Sequence, residues 1–201
     1  MRTNIFKHIS GDTFVRLSIA RNNVLPTIVS RCQTLNLKSV DRNEIVRDAI
    51  DISIEPEDAE LLSYFYNDSE LIYDFLNDEE QSENYFEAKK ALKGLLDTML
   101  NGKSRDVIYY SQKEIVPKIN SKEELRFFID FLSQVYEDML NIISNREISL
   151  KSYDTILNSL VKILPHIEDS LVEILKTRNI VNLNVNIGLL LDHLIIKLVK
   201  E

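Results

Sequence analysis

The residue types that most often carry chemistry are few and widely separated in this sequence of 201 residues. Cys32 is the single cysteine, so it has no partner for an internal disulfide, and it lacks the CxxC spacing of a zinc site. The three histidines are too far apart for metal-binding spacing. Gly102-Lys103 is the one Gly-Lys pair, but Asp97 stands where a P-loop would begin with glycine. The sequence therefore predicts no metal site, no bound cofactor and no self-contained catalytic site.

Charge is distributed unevenly along the chain. Residues 1–40 carry a net charge of +5, residues 41–100 carry −12 and residues 101–201 carry −1. Binding of nucleic acid over the whole surface is excluded, because phosphate contact needs a basic face. We expect any phosphate to be bound by residues 1–40, and we interpret the acids of residues 41–100 as a solvated face.

Composition limits the fold class and the compartment. Four glycines and four prolines are too few for the turns of a β-sandwich or barrel. No apolar run approaches the roughly 18 residues of a membrane-spanning helix, and the first residues lack the apolar segment of a signal peptide. We therefore expect a soluble, cytoplasmic and mainly α-helical protein.

Strand patterns occur only in residues 1–38. Apolar and polar residues alternate over residues 13–19 and more weakly over residues 33–37. Between them, residues 22–30 predict a turn and a short helix with Pro26 near its first position. Two strands do not form a stable sheet alone, so we interpret residues 1–38 as the remnant of a larger α/β domain.

Helical spacing begins at Asp41 and continues to the end of the chain. Residues 39–100 predict four helices, the first three forming a small bundle, and these start near Asp41, Pro56, Asp68 and Glu83. We place a domain boundary near Asn101-Gly102.

Residues 101–201 predict three longer helical segments, which run from Ser121, from Tyr153 to Leu175 with a break at Pro165, and from Asn186 to Val199. The apolar stripe of the first is wider than one neighbour requires, so we expect that helix to be sandwiched between others. The last is apolar nearly all round and is expected at the centre of a bundle or against another subunit.

One short segment has a residue pattern that the packing of a core does not explain. Residues 25–33 read Leu-Pro-Thr-Ile-Val-Ser-Arg-Cys-Gln. They closely resemble the Leu-Pro-Thr-Ile-x-Ser-Arg-Cys-Gln segment of bacterial DNA polymerase III clamp-loader subunits, which are AAA+ proteins, and most closely the delta-prime subunits. Residues 184–186, Asn-Val-Asn, resemble more weakly the start of the last collar helix in that family. The resemblance implies an AAA+ remnant at 1–38, a helical lid domain at 39–100 and a helical collar domain for oligomerisation at 101–201.

The resemblance also implies a site. In that family the arginine of Ser-Arg-Cys is an arginine finger that enters the ATP site of a neighbouring subunit, and the matching residue here is Arg31. Its planar, permanently charged guanidinium donates two hydrogen bonds to phosphate oxygens as charge builds on them. Ser30 and Cys32 are expected to hold the loop, and Pro26 and Thr27 complete the motif. ATP would then be bound by the neighbour, and this chain would have no activity alone.

The implied partners are the gamma/tau and delta subunits and, through the complex, the sliding clamp and primed DNA, with no membrane. The chain would be a component of the DNA polymerase III holoenzyme. The zinc-binding cysteines and P-loop of a complete subunit would precede Met1, so we expect a C-terminal portion, either a fragment or the product of a shortened gene. Three alternatives stay open: a gamma/tau-type ATPase subunit fragment, a non-catalytic helical adaptor in which Arg31 has no partner, and direct DNA binding by residues 1–40.

Overall fold

The fold is mainly α-helical, as the sequence predicts. The chain divides into two compact units, Met1–Ser39 and Val40–Glu201. The computed structural model describes residues 6–9, 13–16, 41–183 and 185–199.

In the first unit, the described residues form an antiparallel pair of strands, β1 (Phe6–Ile9) and β2 (Thr13–Arg16), in which Phe6 is opposite Arg16. The start of β2 confirms the strand predicted from residue 13. Its partner β1 was not predicted, because Phe-Lys-His-Ile has apolar residues only at its two ends. The strand predicted at 33–37 and the helix predicted within 22–30 lie outside the described residues, and the assignment to an AAA+ remnant stays a prediction.

The described residues of the second unit form nine α-helices: α1 (Arg42–Asp51), α2 (Pro56–Leu62), α3 (Ser69–Asn77), α4 (Glu79–Asn101), α5 (Ser104–Tyr110), α6 (Lys122–Ile143), α7 (Asp154–Ile163), α8 (Ile167–Ile180) and α9 (Ile187–Leu198). A π-helical turn, Ser111–Ile115, follows α5, and a 3₁₀ turn, Lys151–Tyr153, precedes α7. Sequence reasoning missed α5 because its apolar residues are consecutive and show no helical spacing.

Side-chain caps explain where several helices begin. The carboxylate of Asp41 accepts the backbone N–H of Asn43 at 3.0 Å, and that of Asp68 accepts the N–H of Glu70 at 2.9 Å. At the start of α6, Ser121 Oγ accepts the N–H of Glu124 at 3.0 Å, while the Glu124 carboxylate accepts the N–H of Ser121 at 2.8 Å. These bonds satisfy N–H groups that have no partner inside the helix. The predicted starts at Asp41, Asp68 and Ser121 are therefore confirmed.

Pro165 separates α7 from α8 as predicted. The residue before a proline is sterically restricted to extended backbone, and Leu164 has φ −85° and ψ 123°. His166 then adopts the left-handed region at φ 54° before α8 begins. The predicted segment 153–175, with its break at Pro165, is accordingly two helices, and the second continues to Ile180.

α6 is the centre of this unit and packs against α4, α7 and α8. The prediction that it is sandwiched between other helices is confirmed. Around its first half, five aromatic rings from four segments pack edge to face, tilted or stacked with centroids 5.2 to 6.1 Å apart. These are Phe65, Phe75, Tyr85, Phe127 and Phe131. Such pairs add to the stabilisation from burial alone.

One hydrophobic core contains residues from both sides of the predicted domain boundary between residues 100 and 101. Phe65 packs against Phe127, and α4 lies along α6. Gly94 of α4 allows the Tyr110 side chain of α5 to pack closely against α4, because a Cβ at position 94 would overlap that side chain. The division into a lid at 39–100 and a collar at 101–201 stays a prediction. Within the described residues, no helix combines the length and the apolar character needed to cross a bilayer.

Candidate functional site

The residues predicted to act at a neighbour's nucleotide lie outside the described residues. Residues 17–40 contain all five of them: Pro26, Thr27, Ser30, Arg31 and Cys32. The role implied for Arg31 and the supporting roles of the others therefore stay predictions. The described helices that follow contain two polar networks, of which the second reaches solvent, and one exposed stripe on the last helix.

The first network is centred on Arg42, the first residue of α1. Its Nε donates to Ser63 Oγ at 2.8 Å, and its Nη2 donates to the Glu60 carbonyl at 2.6 Å and to Gln134 Oε1 at 2.7 Å. Burial lowers the pKa of Arg42, and the carboxylates of Asp138 and Glu60 oppose that shift. Because Glu60 is on α2 and Gln134 on α6, this one side chain joins three helices.

Tyr64 connects the first network to α8. The guanidinium carbon of Arg42 lies 5.8 Å from the Tyr64 ring centroid, and that of Arg178 lies 5.7 Å from it, both within cation–π range. Arg178 Nε also lies 2.5 Å from Oδ1 of Asp130, whose side chain on α6 is 1% exposed. Burial raises the pKa of Asp130, although Arg178 and Arg126 act to lower it.

The second network begins at Glu57 and Asp58 in the first turn of α2. Lys93 of α4 lies 2.6 Å from Glu57 Oε2, and Lys89 of the same helix is 3.2 Å from that oxygen and also pairs with Asp58. The Tyr153 hydroxyl, from the 3₁₀ turn, donates to the Glu57 carboxylate. α2, α4 and the segment before α7 are thereby held together through charge.

These contacts set the ionisation of the second network. Burial alone would raise the pKa of Glu57, but hydrogen bonds from Lys93 and Tyr153 and the charge of Lys89 bring it below its usual value. Burial and the neighbouring Glu57 carboxylate raise the pKa of Tyr153. The network borders a pocket of about 270 Å³. Since its polar groups bond to one another, we interpret the network as a support for the fold.

Two acids depart from the expectation of a solvated acidic face. Asp58 is 8% exposed and Glu60 is 5% exposed, so that interpretation is wrong for both. The physical reason is that α2 is short and packs against α1, α3 and the 3₁₀ turn, which leaves little of its surface for solvent. Glu60 Oε2 accepts the Ser152 N–H at 2.9 Å, and burial raises the pKa of Glu60. The available signal was that the apolar residues Ala59, Leu61 and Leu62 lie beside these two acids in a helix of only seven residues.

The exposed stripe lies on the outer side of α9, which we call the α9 stripe and define as Leu189, His193 and Ile196. These residues are spaced four and three apart, so they form one ridge on the helix. Leu189 is 70% exposed and Ile196 is 48% exposed. The opposite side is buried in the chain's own core through Leu190, Leu191, Leu194, Ile195 and Leu198. α9 therefore leaves two large apolar side chains, Leu189 and Ile196, exposed within the described residues.

No metal-binding geometry occurs in the part of the chain that the structure describes: no three His, Cys, Asp or Glu side chains are grouped to hold an ion. What the described residues offer is a helical body with an outward ridge that contains two exposed apolar side chains, Leu189 and Ile196. Such a ridge is suited to association with another helix.

Comparison with known proteins gives a relative over most of the chain. No protein-family model matches. The chain is 24% identical over 179 residues to the DNA polymerase III subunit delta′ of Bacillus subtilis (strain 168), a match that covers 87% of this chain and 53% of the relative. The chain thus spans about half the length of that relative. The resemblance indicated by residues 25–33 is confirmed.

Proposed function

We propose that this chain, as a protein similar to a bacterial delta-prime subunit, is a subunit of a replicative clamp loader and helps to load the sliding clamp onto primed DNA in the cytoplasm. The observation that carries the proposal is the similarity across 87% of the chain. The segment 25–33 adds support, because eight of its nine residues follow the family pattern. The partners are the gamma/tau and delta subunits.

Assembly is assigned to residues 101–201, with the α9 stripe as the contact. An exposed leucine and an exposed isoleucine lie on this one ridge. When a partner helix removes them from water, association gains about 25 cal/mol per Å² of buried apolar surface. A stable contact needs about 1,000 Å² or more in total. Two side chains supply only its centre, so neighbouring residues of α8 and α9 complete the surface.

Arg31 is assigned to act in trans. Positive charge aimed at the phosphates stabilises the transition state of ATP hydrolysis in the neighbour, and this chain binds no nucleotide and has no turnover alone. A lysine would not replace it, since the ammonium lacks the two-pronged geometry.

Reconstitution with the gamma/tau and delta subunits tests assembly. Light scattering after size exclusion measures the mass of the complex formed with wild type, with the double variant Leu189→Glu/Ile196→Glu, and with Ile143→Glu as the matched control. Ile143 is 53% exposed and lies outside the α9 stripe. We expect wild type and the control to join the complex and the double variant to stay free. Failure of wild type to join would refute the proposed function, and assembly of the double variant would refute the contact.

ATP hydrolysis by the same reconstituted complex tests Arg31. We expect Arg31→Ala to assemble normally and to lower turnover by roughly 10³-fold or more. Arg16→Ala, which removes another arginine of the same unit, is the control and is expected to keep turnover. Unchanged hydrolysis with Arg31→Ala would show that this residue is no finger, while leaving assembly to be judged by the scattering result.

A further inference from the structure

We infer that a groove at one end of the helical body is a docking site for a short acidic peptide segment with apolar side chains, contributed by a partner protein. This groove, called the terminal groove, has a volume of about 1,080 Å³ and lies between the end of α4, the start of α5 and the ends of α7 and α9. The inference does not depend on the proposed function, because it uses other residues than Arg31 and the α9 stripe.

The floor and wall of the terminal groove are apolar. Met99, Val107 and Leu198 form the floor and are each at most 5% exposed. Ile163 forms part of the wall and is 51% exposed, although isoleucine is usually buried. The groove is therefore a concave apolar surface of the size that binds ligands, and the described residues leave its wall in contact with water.

The charge that lines the terminal groove is positive, in contrast to the chain as a whole. Its lining contains two bases, Lys103 and Arg105, and one acid, Asp106, and we call these three residues the rim. The complete chain has a net charge of −8. The rim is thus a local positive region on an acidic protein.

The charges of the rim are available to a partner. The one acid, Asp106, is engaged by its own helix, because its Oδ2 accepts the Lys103 backbone N–H at 2.8 Å. Among residues 41–183 and 185–199, no carboxylate lies within 4 Å of the Lys103 ammonium or the Arg105 guanidinium. With respect to the described carboxylates, an acidic partner would pair with both without first breaking an ion pair.

The chemistry of floor and rim together selects the occupant. Nucleic acid binds through a run of phosphate contacts and by stacking of bases on aromatic rings, and no aromatic residue lines the terminal groove among the described residues. An acidic peptide uses both features, since its leucine, isoleucine or phenylalanine side chains fill the floor while its Asp or Glu side chains meet the rim. Exposed ion pairs contribute little each, so we expect affinity from apolar burial and charge selectivity from Lys103 and Arg105.

Selection from a display library of random peptides of about a dozen residues, with the full chain immobilised, tests the inference. Enriched peptides are synthesised with a fluorescent label and titrated by anisotropy. We expect a negative net charge together with at least two large apolar residues, and binding that weakens with salt. Ile163→Asp should weaken it by roughly tenfold or more, and the charge reversal Arg105→Glu by roughly threefold. Ile143→Asp, the matched exposed isoleucine, and Leu189→Glu in the α9 stripe should leave it unchanged.

Three results would overturn the inference: no enrichment, enrichment of neutral or basic peptides, and binding that both groove variants retain. Displacement of the peptide by a single-stranded oligonucleotide at equal concentration would also overturn it in favour of nucleic acid. Arg105→Glu changes only an exposed side chain and is expected to fold, so its result stands even if Ile163→Asp is unstable. Assembly of the clamp-loader complex is measured separately with the α9 variants, so the two proposals fail independently.

Discussion

α6 and α9 both carry apolar residues around most of their circumference, yet the chain uses them differently. α6 is surrounded by α4, α7 and α8, and its large side chains, such as Phe128, Phe131 and Leu132, are fully buried. α9 buries one side and exposes the α9 stripe. The width of the apolar surface of a helix therefore indicates how many neighbouring helices it requires. It does not indicate whether those neighbours belong to the same chain.

The polar residues of the two helices differ in the same way. On α6, Gln134 accepts a hydrogen bond from Arg42, and Asp138 accepts the backbone N–H groups of Ser149 and Leu150 at 2.7 to 3.0 Å. On α9, His193 is exposed between the two apolar residues of the stripe. α6 is thus fixed in position by apolar and polar contacts together, whereas the described residues hold the outer side of α9 by neither.

The largest expected effect is at the centre of α6. Phe131→Ala removes a side chain that is 0% exposed and that contacts the rings of Phe65, Tyr85 and Phe127. We expect the free energy of unfolding to fall by about 3–5 kcal/mol, because the cavity cannot close fully. Urea denaturation followed by circular dichroism measures this. Ile143→Ala at the exposed end of the same helix is the control and should change stability by less than about 0.5 kcal/mol. Equal losses of stability in Phe131→Ala and Ile143→Ala would contradict the contrast between buried and exposed apolar positions.

A smaller effect is expected from the polar contact that joins α1 to α6. Arg42→Met keeps much of the side-chain volume but leaves Gln134 Oε1 without its donor and the Glu60 carbonyl with the Ser63 hydroxyl alone as a side-chain donor. We expect a loss of about 1.5–3 kcal/mol in the free energy of unfolding, the range for hydrogen bonds to a charged group. Arg47→Met, an exposed position on α1, is the matched control and should have little effect. A neutral result for Arg42→Met would mean that apolar packing alone positions α1.

Local signals allowed much of this fold to be predicted. Caps act within three residues of the chain, so Asp41, Asp68 and Ser121 identified three helix starts from the sequence alone. Pro165 acts on the residue before it and so identified the break after α7. Wide apolar spacing identified α6 as an inner helix. Each of these effects depends on residues that are close together in sequence. The periodicity and spacing of residues are therefore enough to predict them.

Contacts between distant residues could not be predicted in the same way. Nothing near Glu60 in sequence indicates that its carboxylate caps Ser152, 92 residues away. Arg42 and Gln134 are also 92 residues apart. The burial of such charged groups depends on which helices pack together in the fold. The spacing of residues along the sequence does not indicate that packing. For the candidate site, the apolar character of α9 was predicted, but which side stays exposed depended on where the neighbouring helices lie.

A modest pH effect is expected where charge joins α2 to α4. The folded pKa of Glu57 is lowered, because hydrogen bonds from Lys93 and Tyr153 outweigh burial. A lowered folded pKa gives stability that is present above the usual value of 4.5 and lost as the pH falls through the folded pKa. Glu57→Gln should therefore be less stable than wild type by about 1 kcal/mol at neutral pH, a small figure because the network reaches solvent. The difference should disappear in acid.

Denaturation curves at neutral pH and at several values below 4.5 measure the convergence of Glu57→Gln with wild type. Glu55→Gln, an exposed neighbour, is the control and should follow the wild type at every pH. A gap between Glu57→Gln and wild type that grows in acid would reverse the assigned sign. Such a result would place Glu57 among the carboxyls, like Asp130, whose burial outweighs their partners.

The smallest expected effect is that of Leu189→Ala on α9, where two leucines separated by one residue give the sharpest form of the contrast. Leu191 is 0% exposed and Leu189 is 70% exposed, so Leu191→Ala should lower the free energy of unfolding by about 2–5 kcal/mol and Leu189→Ala by less than about 0.5 kcal/mol. Urea denaturation of the isolated chain measures both. A comparable loss at Leu189 would mean that the chain itself covers the α9 stripe in solution. Leu189 would then already be withdrawn from water, and a partner subunit would gain no free energy by covering it.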